Sequence, residues 1–142
     1  MAKPMTDDER RHFLLEGTRT AVLSTVRADG RPHAAPIWFT LDGDDVVFTT
    51  GAGTVKGRNL TRDVRAVLTV DESTPPFAFV TIEGPVAISE DPDEVLRWAI
   101  VLGGLYMGAD DADAFGRRNA VPGEMLVRLH PDKIIAVADL AG

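Results

Sequence analysis

Arg19-Thr20-Ala21-Val22-Leu23-Ser24-Thr25-Val26 alternates at the β period, turns at Asp29-Gly30, and returns through Ala34-Ala35-Pro36-Ile37-Trp38-Phe39-Thr40-Leu41. This stretch decides the fold. Strict alternation sends one set of side chains to a core and the other to the opposite face. Asp-Gly is a strong two-residue hairpin signal, because both turn positions favour positive φ. A second turn, Asp42-Gly43-Asp44-Asp45, leads into Val46-Val47-Phe48-Thr49-Thr50. The pattern predicts a three-stranded antiparallel meander.

Upstream, Thr6-Asp7-Asp8-Glu9 has the form of a capping box, with acids in the first turn to oppose the helix dipole. The helix it starts should run to about Glu16, turn Phe13 and Leu14 inward, and end at Gly17. Downstream, a short helix follows Thr50, then a strand over Arg65–Val70 and a proline-rich turn, Asp71 to Pro76. Phe77 to Ile88 reads as one long strand or a bent pair, with Gly84-Pro85 marking a bulge or edge. Asp91-Pro92-Asp93-Glu94 starts a helix reaching about Met107. Gly103 and Gly104 inside it each cost about 1 kcal/mol relative to alanine, a cost that close packing would offset. Asp110 to Arg118 reads as a further short helix. Two last strands, Glu124–Leu129 and Lys133–Val137, are joined by His130-Pro131-Asp132. Six or seven short strands, with helices only between them and at the start, predict a mainly β (α+β) single domain built as a small antiparallel barrel. Strands do not alternate with long helices, which disfavours a doubly wound sheet.

Composition sets the outer limits. The 142 residues fit one domain, and an apolar fraction of 44% with 26% charged residues is that of an ordinary globular protein. A net charge of −7 argues against nucleic-acid binding, which requires a broad basic face. There is no cysteine, so disulfides, thiolate metal sites and cysteine nucleophiles are excluded. The polar segment Met1–Arg11 does not read as a signal peptide, and the apolar run Trp98–Ala109 is too short to span a bilayer. The expected location is the cytoplasm, without membrane contact. His12, His33 and His130 lack metal-ligand spacing, the acids at Asp110, Asp111 and Asp113 lack a calcium-loop pattern, and Ser24, Ser73 and Ser89 lie in no nucleophile-elbow context.

Against this acidic background, the segment after the meander stands out. Thr49-Thr50-Gly51-Ala52-Gly53-Thr54-Val55-Lys56-Gly57-Arg58-Asn59-Leu60 closes a strand with two hydroxyls, passes a glycine-rich turn and opens a helix. Lys56, Arg58, Arg62 and Arg65 face only Asp63 in sequence, so the local charge is positive. A strand-to-helix junction of this kind suits a small anion, because free N–H groups and the positive helix end converge there. The plainer reading is a solvated basic helix. Neither a P-loop nor a dinucleotide fingerprint fits, since Lys56 precedes Gly57 and stands where a fingerprint glycine would be.

The order of these segments resembles a known family. Arg31-Pro32-His33, Pro36-Ile37-Trp38-Phe39, Val47-Phe48-Thr49-Thr50, Lys56 with Asn59-Leu60, Arg65 to Val70, and Phe79 to Gly84 together resemble the pyridoxamine 5′-phosphate oxidase-like split β-barrel superfamily. More narrowly, they are similar to its branch using the deazaflavin coenzyme F420, as are Tyr106-Met107-Gly108 and Phe115 to Asn119. The resemblance runs from about Thr6 to Val137. It implies an FMN-binding type of split barrel with short peripheral helices, forming a homodimer with two cofactor sites, each at the interface between protomers. It also implies that Pro36, Ile37, Trp38 and Phe39 lie along the flavin-like ring. Thr49, Thr50, Lys56 and Asn59 would hold the phosphate and ribityl chain, with Arg58 as a second phosphate contact. Phe77 and Phe79 would close the site from the partner. Trp38 and Phe39 read equally well as core aromatics, and Phe77 and Phe79 as a sealed dimer core. The implied activity is F420-dependent hydride transfer to a small unsaturated or heterocyclic substrate. FMN-dependent chemistry and non-catalytic flavin binding are the alternatives. No catalytic acid or base is identified from the sequence.

Overall fold

Thr6 opens the fold as its surroundings predict. Its hydroxyl accepts from the Glu9 N–H (3.1 Å), and the Glu9 carboxylate accepts from the Thr6 N–H (3.0 Å). Two otherwise unpaired donors are satisfied at once. Helix α1 (Asp7–Leu15) follows, with Phe13 and Leu14 buried, and the chain reverses at Gly17, where φ is +62° and glycine carries no steric penalty. The computed structural model describes residues 1–142. No helix is long and apolar enough to cross a membrane.

Nine antiparallel strands form one curled sheet. They are β1 (Lys3–Pro4), β2 (Ala21–Val26), β3 (Pro32–Ile37), β4 (Thr40–Asp42), β5 (Asp45–Gly51), β6 (Arg65–Glu72), β7 (Ala78–Ser89), β8 (Glu124–Leu129) and β9 (Lys133–Ala138). The main path runs β3-β2-β6-β7-β8-β5-β4, and β9 joins both β7 and β1. Helices α2 (Val55–Arg62), α3 (Pro92–Met107) and α4 (Ala112–Asn119) complete the chain, with one 3₁₀ turn before α4. The result is a half-barrel with few helices. Phe48, Leu23, Leu60, Leu68, Ile82 and Leu129 lie fully buried inside it.

The structure corrects the expected meander. Ala34–Leu41 is not one return strand: it breaks at Trp38-Phe39, between β3 and β4. β3 pairs with β2, whereas β4 pairs with β5, and β5 continues to β8 rather than back to β3. A side chain from far along the chain explains the break. The Tyr106 hydroxyl donates to the Arg19 carbonyl (2.6 Å) and accepts from the Phe39 N–H (3.2 Å), taking the place of a strand neighbour. Burial pushes its ionisation up, against a smaller opposing effect of the Phe39 backbone. Tyr106→Phe is therefore expected to destabilise the fold by about 1–3 kcal/mol, the cost of leaving a buried donor and acceptor unpaired. A urea melt measures it.

The bend expected at Gly84-Pro85 joins the two halves. Before it, β7 pairs with β6 and β9; after it, Val86–Ser89 pairs with β8. Gly84 lies directly against the His130 carbonyl, in the His130-Pro131-Asp132 crossing from β8 to β9.

Gly103 finds the close packing expected of the glycine pair, whereas Gly104 does not. A Cβ on Gly103 would stand 2.9 Å from the Phe115 ring and 3.1 Å from the Ala112 carbonyl oxygen. Gly116 on α4 lies equally close to Ile100, whose N and Cα would be 2.8 and 2.9 Å away. The two helices thus meet backbone to backbone. Gly104 meets only the Ala112 Cβ, at 3.4 Å, so Gly104→Ala is expected to raise the melting temperature, with a helix-propensity gain of up to about 1 kcal/mol.

Candidate functional site

The break between β3 and β4 leaves a cleft of about 210 Å³ between the two sheet halves and the α3–α4 pair. Pro36, Ile37 and Trp38 form one wall, and Thr49 and Lys56 reach it from β5 and α2. Phe115, Asn119 and Glu124 enter from α4 and β8, and Ala99 and Leu102 from α3. The lining thus combines aromatic side chains, Trp38 and Phe115, with two charged ones, Lys56 and Glu124.

Local structure sets the aromatic end. Trp38 follows the last β3 residue and remains 38% exposed. Its indole stacks on the Tyr106 ring, with centroids 4.6 Å apart and planes 8° from parallel, and lies 5.5 Å from Phe115. Such offset aromatic pairs gain about 0.5–1.5 kcal/mol beyond area burial, so the indole is held in place before any ligand arrives. The α3–α4 crossing at Gly103 and Gly116 brings Phe115 within reach.

The charged end depends on the turn before α2. Thr54 caps the helix: its hydroxyl accepts from the Gly57 N–H (3.1 Å) and donates to the Gly51 carbonyl (2.7 Å). Gly57 is buried against that same Gly51 carbonyl, where any Cβ would collide. This pins the first turn and carries Lys56 to the cleft. Lys56 takes part in none of the ion pairs of the structure. Glu124 opposes it. Burial pushes the Glu124 carboxyl up, while attraction to Lys56 and a Thr49 hydrogen bond pull it back down.

The sequence candidates therefore divide. Pro36, Ile37, Trp38, Thr49 and Lys56 converge on this cleft. Phe39 is 3% exposed and belongs to the main core. Thr50 is buried below the turn, within 3.3 Å of the Thr54 hydroxyl. Asn59 is buried as well: its amide donates to the Thr25 hydroxyl (3.0 Å) and its oxygen accepts from Arg62 (3.3 Å). Arg58 leaves α2 on another side and lines a separate hollow with Thr61, Val64 and Met125, as two residues of helix turn it by about 200° from Lys56. Phe77 and Phe79 stand at the far end of β7, outside the cleft of their own chain. Glu124 was not singled out from sequence. Its one cue was a charged residue opening a strand whose next three residues, Met125, Leu126 and Val127, are apolar. No group of three or more His, Cys, Asp or Glu side chains is placed to hold a metal ion.

Comparison with known proteins agrees with the fold. A family model described as pyridoxamine 5′-phosphate oxidase matches residues 6–138. The conserved hypothetical protein Rv2991 from Mycobacterium tuberculosis superposes with a TM-score of 0.82 at 24% identity, covering 93% of this chain and 84% of that one. A solved F420 reductase gives a TM-score of 0.68 at 26% identity, over 87% of this chain and 94% of its own. HutZ, the heme storage protein from Vibrio cholerae, gives 0.72 at 20% identity, over 92% and 94%. No curated protein matches the sequence.

Proposed function

This chain belongs to the pyridoxamine 5′-phosphate oxidase family, and from that premise we propose that it is a deazaflavin (F420)-dependent oxidoreductase acting on a small unsaturated or heterocyclic substrate. One observation carries the reading: a single cleft is lined both by an ammonium without an ion-pair partner, Lys56, and by the Trp38–Phe115 aromatic pair. A phosphate-bearing, flat heterocycle matches that division of charge and apolar surface. The residues present fit such a group, with Lys56 and the Thr49 hydroxyl as the phosphate grip and Trp38, Ile37 and Pro36 beside the ring. Thr50, Phe39 and Asn59 lie buried outside the cleft lining. When bound, the cofactor supplies the hydride chemistry. The chain contributes binding, orientation and exclusion of water.

A homodimer is part of the proposal. A cleft of 210 Å³ falls below the roughly 300–1,000 Å³ of pockets that enclose a small ligand, as expected of a half-site completed by a second copy. The outer face of the sheet supports the same arrangement. Pro36, Val22, Thr69, Thr81 and Ile135 form one uncharged register row across five strands, with Val22 43% and Ile135 42% exposed. On this reading Phe77 and Phe79 act across the interface. Ile135→Glu is expected to convert the dimer to monomer and to weaken cofactor binding with it, which sedimentation and fluorescence titration would follow in parallel. A dimer indifferent to this charge would remove the face from the interface.

The primary test is equilibrium binding of the protein to F420 and to FMN, followed by reduction of candidate acceptors. Preference for F420 with turnover supports the proposal. Preference for FMN moves the chain to an FMN-dependent oxidase or reductase, whose cofactor offers the same phosphate and a nearly identical ring. Binding without turnover makes it a carrier.

A further inference from the structure

We propose that Glu124 is a ligand-binding residue that takes up one proton when an anion occupies the cleft beside Lys56, so that a phosphoryl- or sulfate-like group is held between an ammonium and a neutral carboxyl. The inference rests on the anion end of the proposed cofactor cleft and gives that end a pH dependence.

The placement is specific. Glu124 is the first residue of β8 and stands opposite Gly51 in register, at the end of β5 that feeds the turn into α2. A carboxyl oxygen lies 3.8 Å from where a Cβ on Gly51 would be, so the side chain lies over the β5 end from which the turn to α2 departs. It shares the cleft lining with Thr49 of β5, Lys56 of α2, Asn119 of α4, and Ala99 and Leu102 of α3. Of these groups only Lys56 is charged. Glu124 and Lys56 are nevertheless not within ion-pair distance of each other, which leaves the ammonium's donors open.

The electrostatic consequence follows from the sign of each charge. Without an anion beside them, Lys56 and Glu124 offset each other through the intervening space. A dianion entering next to Lys56 also enters next to Glu124, and a carboxylate there opposes it with low screening. A neutral carboxyl instead donates its O–H to the anion and adds a third hydrogen-bonding group to the ammonium and the Thr49 hydroxyl. Burial favours the neutral form in the same direction. The proton comes from solvent to a carboxyl oxygen of Glu124. None passes to the ligand, and no bond of the ligand changes.

Sulfate tests this without a flavin, because it stays a dianion through the neutral and mildly acidic range. The Glu124 carboxyl carbon is followed by NMR against pH, with sodium sulfate and with sodium chloride at equal ionic strength. The expected result is an upward shift of the Glu124 midpoint by about one pH unit or more with sulfate. Between the free and the sulfate-bound midpoints, sulfate affinity should fall by up to about tenfold per pH unit and level off above the bound one, the signature of one linked proton. Glu124→Gln should bind sulfate with no such slope. An unmoved Glu124 midpoint in saturating sulfate overturns the proposal, as does failure of sulfate to perturb the cleft. The unsubstituted protein decides both, so the conclusion survives if Glu124→Gln folds poorly. Calorimetry of FMN and F420 in buffers of different ionisation heat separates the two readings. If neither flavin binds, the oxidoreductase reading fails while sulfate still judges Glu124. If a flavin binds with no proton uptake and sulfate leaves Glu124 unmoved, Glu124 loses this role and the oxidoreductase reading stands.

Discussion

Lys56→Ala is expected to weaken binding of the phosphate-bearing cofactor by about 1.5–3 kcal/mol, or roughly 10- to 150-fold in Kd. Two features put the effect in that range. The ammonium has no ion-pair partner of its own, so the substitution breaks no salt bridge of the fold. Its loss also leaves the cleft lining without a positive charge to meet the anion. The far-UV spectrum and melting temperature should stay near those of the parent, because α2 is pinned by Thr54 and Gly57 rather than by Lys56. Arg58→Ala is the matched control. It lines another hollow and should change affinity little. Fluorescence titration of both variants is the measurement, and equal losses would mean that the phosphate reaches across α2 instead of into the cleft.

Gly84→Ala should have the largest effect on stability of any single-methyl change in the chain. The added carbon would land inside the van der Waals radius of the His130 carbonyl oxygen, with the His130 carbon at 3.0 Å and the Asp132 nitrogen at 3.1 Å. All of these are backbone atoms, so no rotamer change relieves the clash. Two hydrogen bonds hold that backbone in place: His130 N–H to the Pro85 carbonyl (3.0 Å) and Asp132 N–H to the Glu83 carbonyl (2.9 Å). Overpacking commonly costs about 1–3 kcal/mol, and a collision with fixed backbone at the joint of the two sheet halves belongs at or above the upper end. Gly104→Ala adds the same methyl with the opposite expected sign, since it meets only a side-chain carbon and gains helix propensity. Denaturant melts of the pair compare the two, and a Gly84→Ala protein as stable as its parent would show that the β7 bend can open.

Much of the architecture was legible in local chemistry. The Thr6–Glu9 box needed only neighbouring residues to be recognised, as did the reversal at Asp29-Gly30. That reversal closes through a longer loop between Val26 and Pro32 in which only Gly30 has positive φ, not as a two-residue turn. Gly84-Pro85 was legible as a bend because one residue lacks a side chain and the next lacks an N–H. Trp38 and Phe39 were candidates from the start, but alternation alone predicted an unbroken strand through them. The break needs the Tyr106 hydroxyl, which arrives from α3. Arg58 and Lys56 look equivalent in a charged segment and are not, because helix rotation sends them to different hollows. Asn59 reads as a free polar group until Thr25 and Arg62 claim it.

By itself, the sequence determined the element types, the antiparallel class of the sheet, the capped helix entries and the place of a cationic strand-to-helix junction. Each depends on backbone preference, hydrophobic period or charge over a few consecutive residues. Tertiary structure alone decided where β3 leaves one half of the sheet for the other, which basic side chain of α2 faces the cleft, and that Glu124 stands opposite it. Those outcomes depend on where distant segments meet, and a contact between β8 and α2 leaves no periodic trace in either.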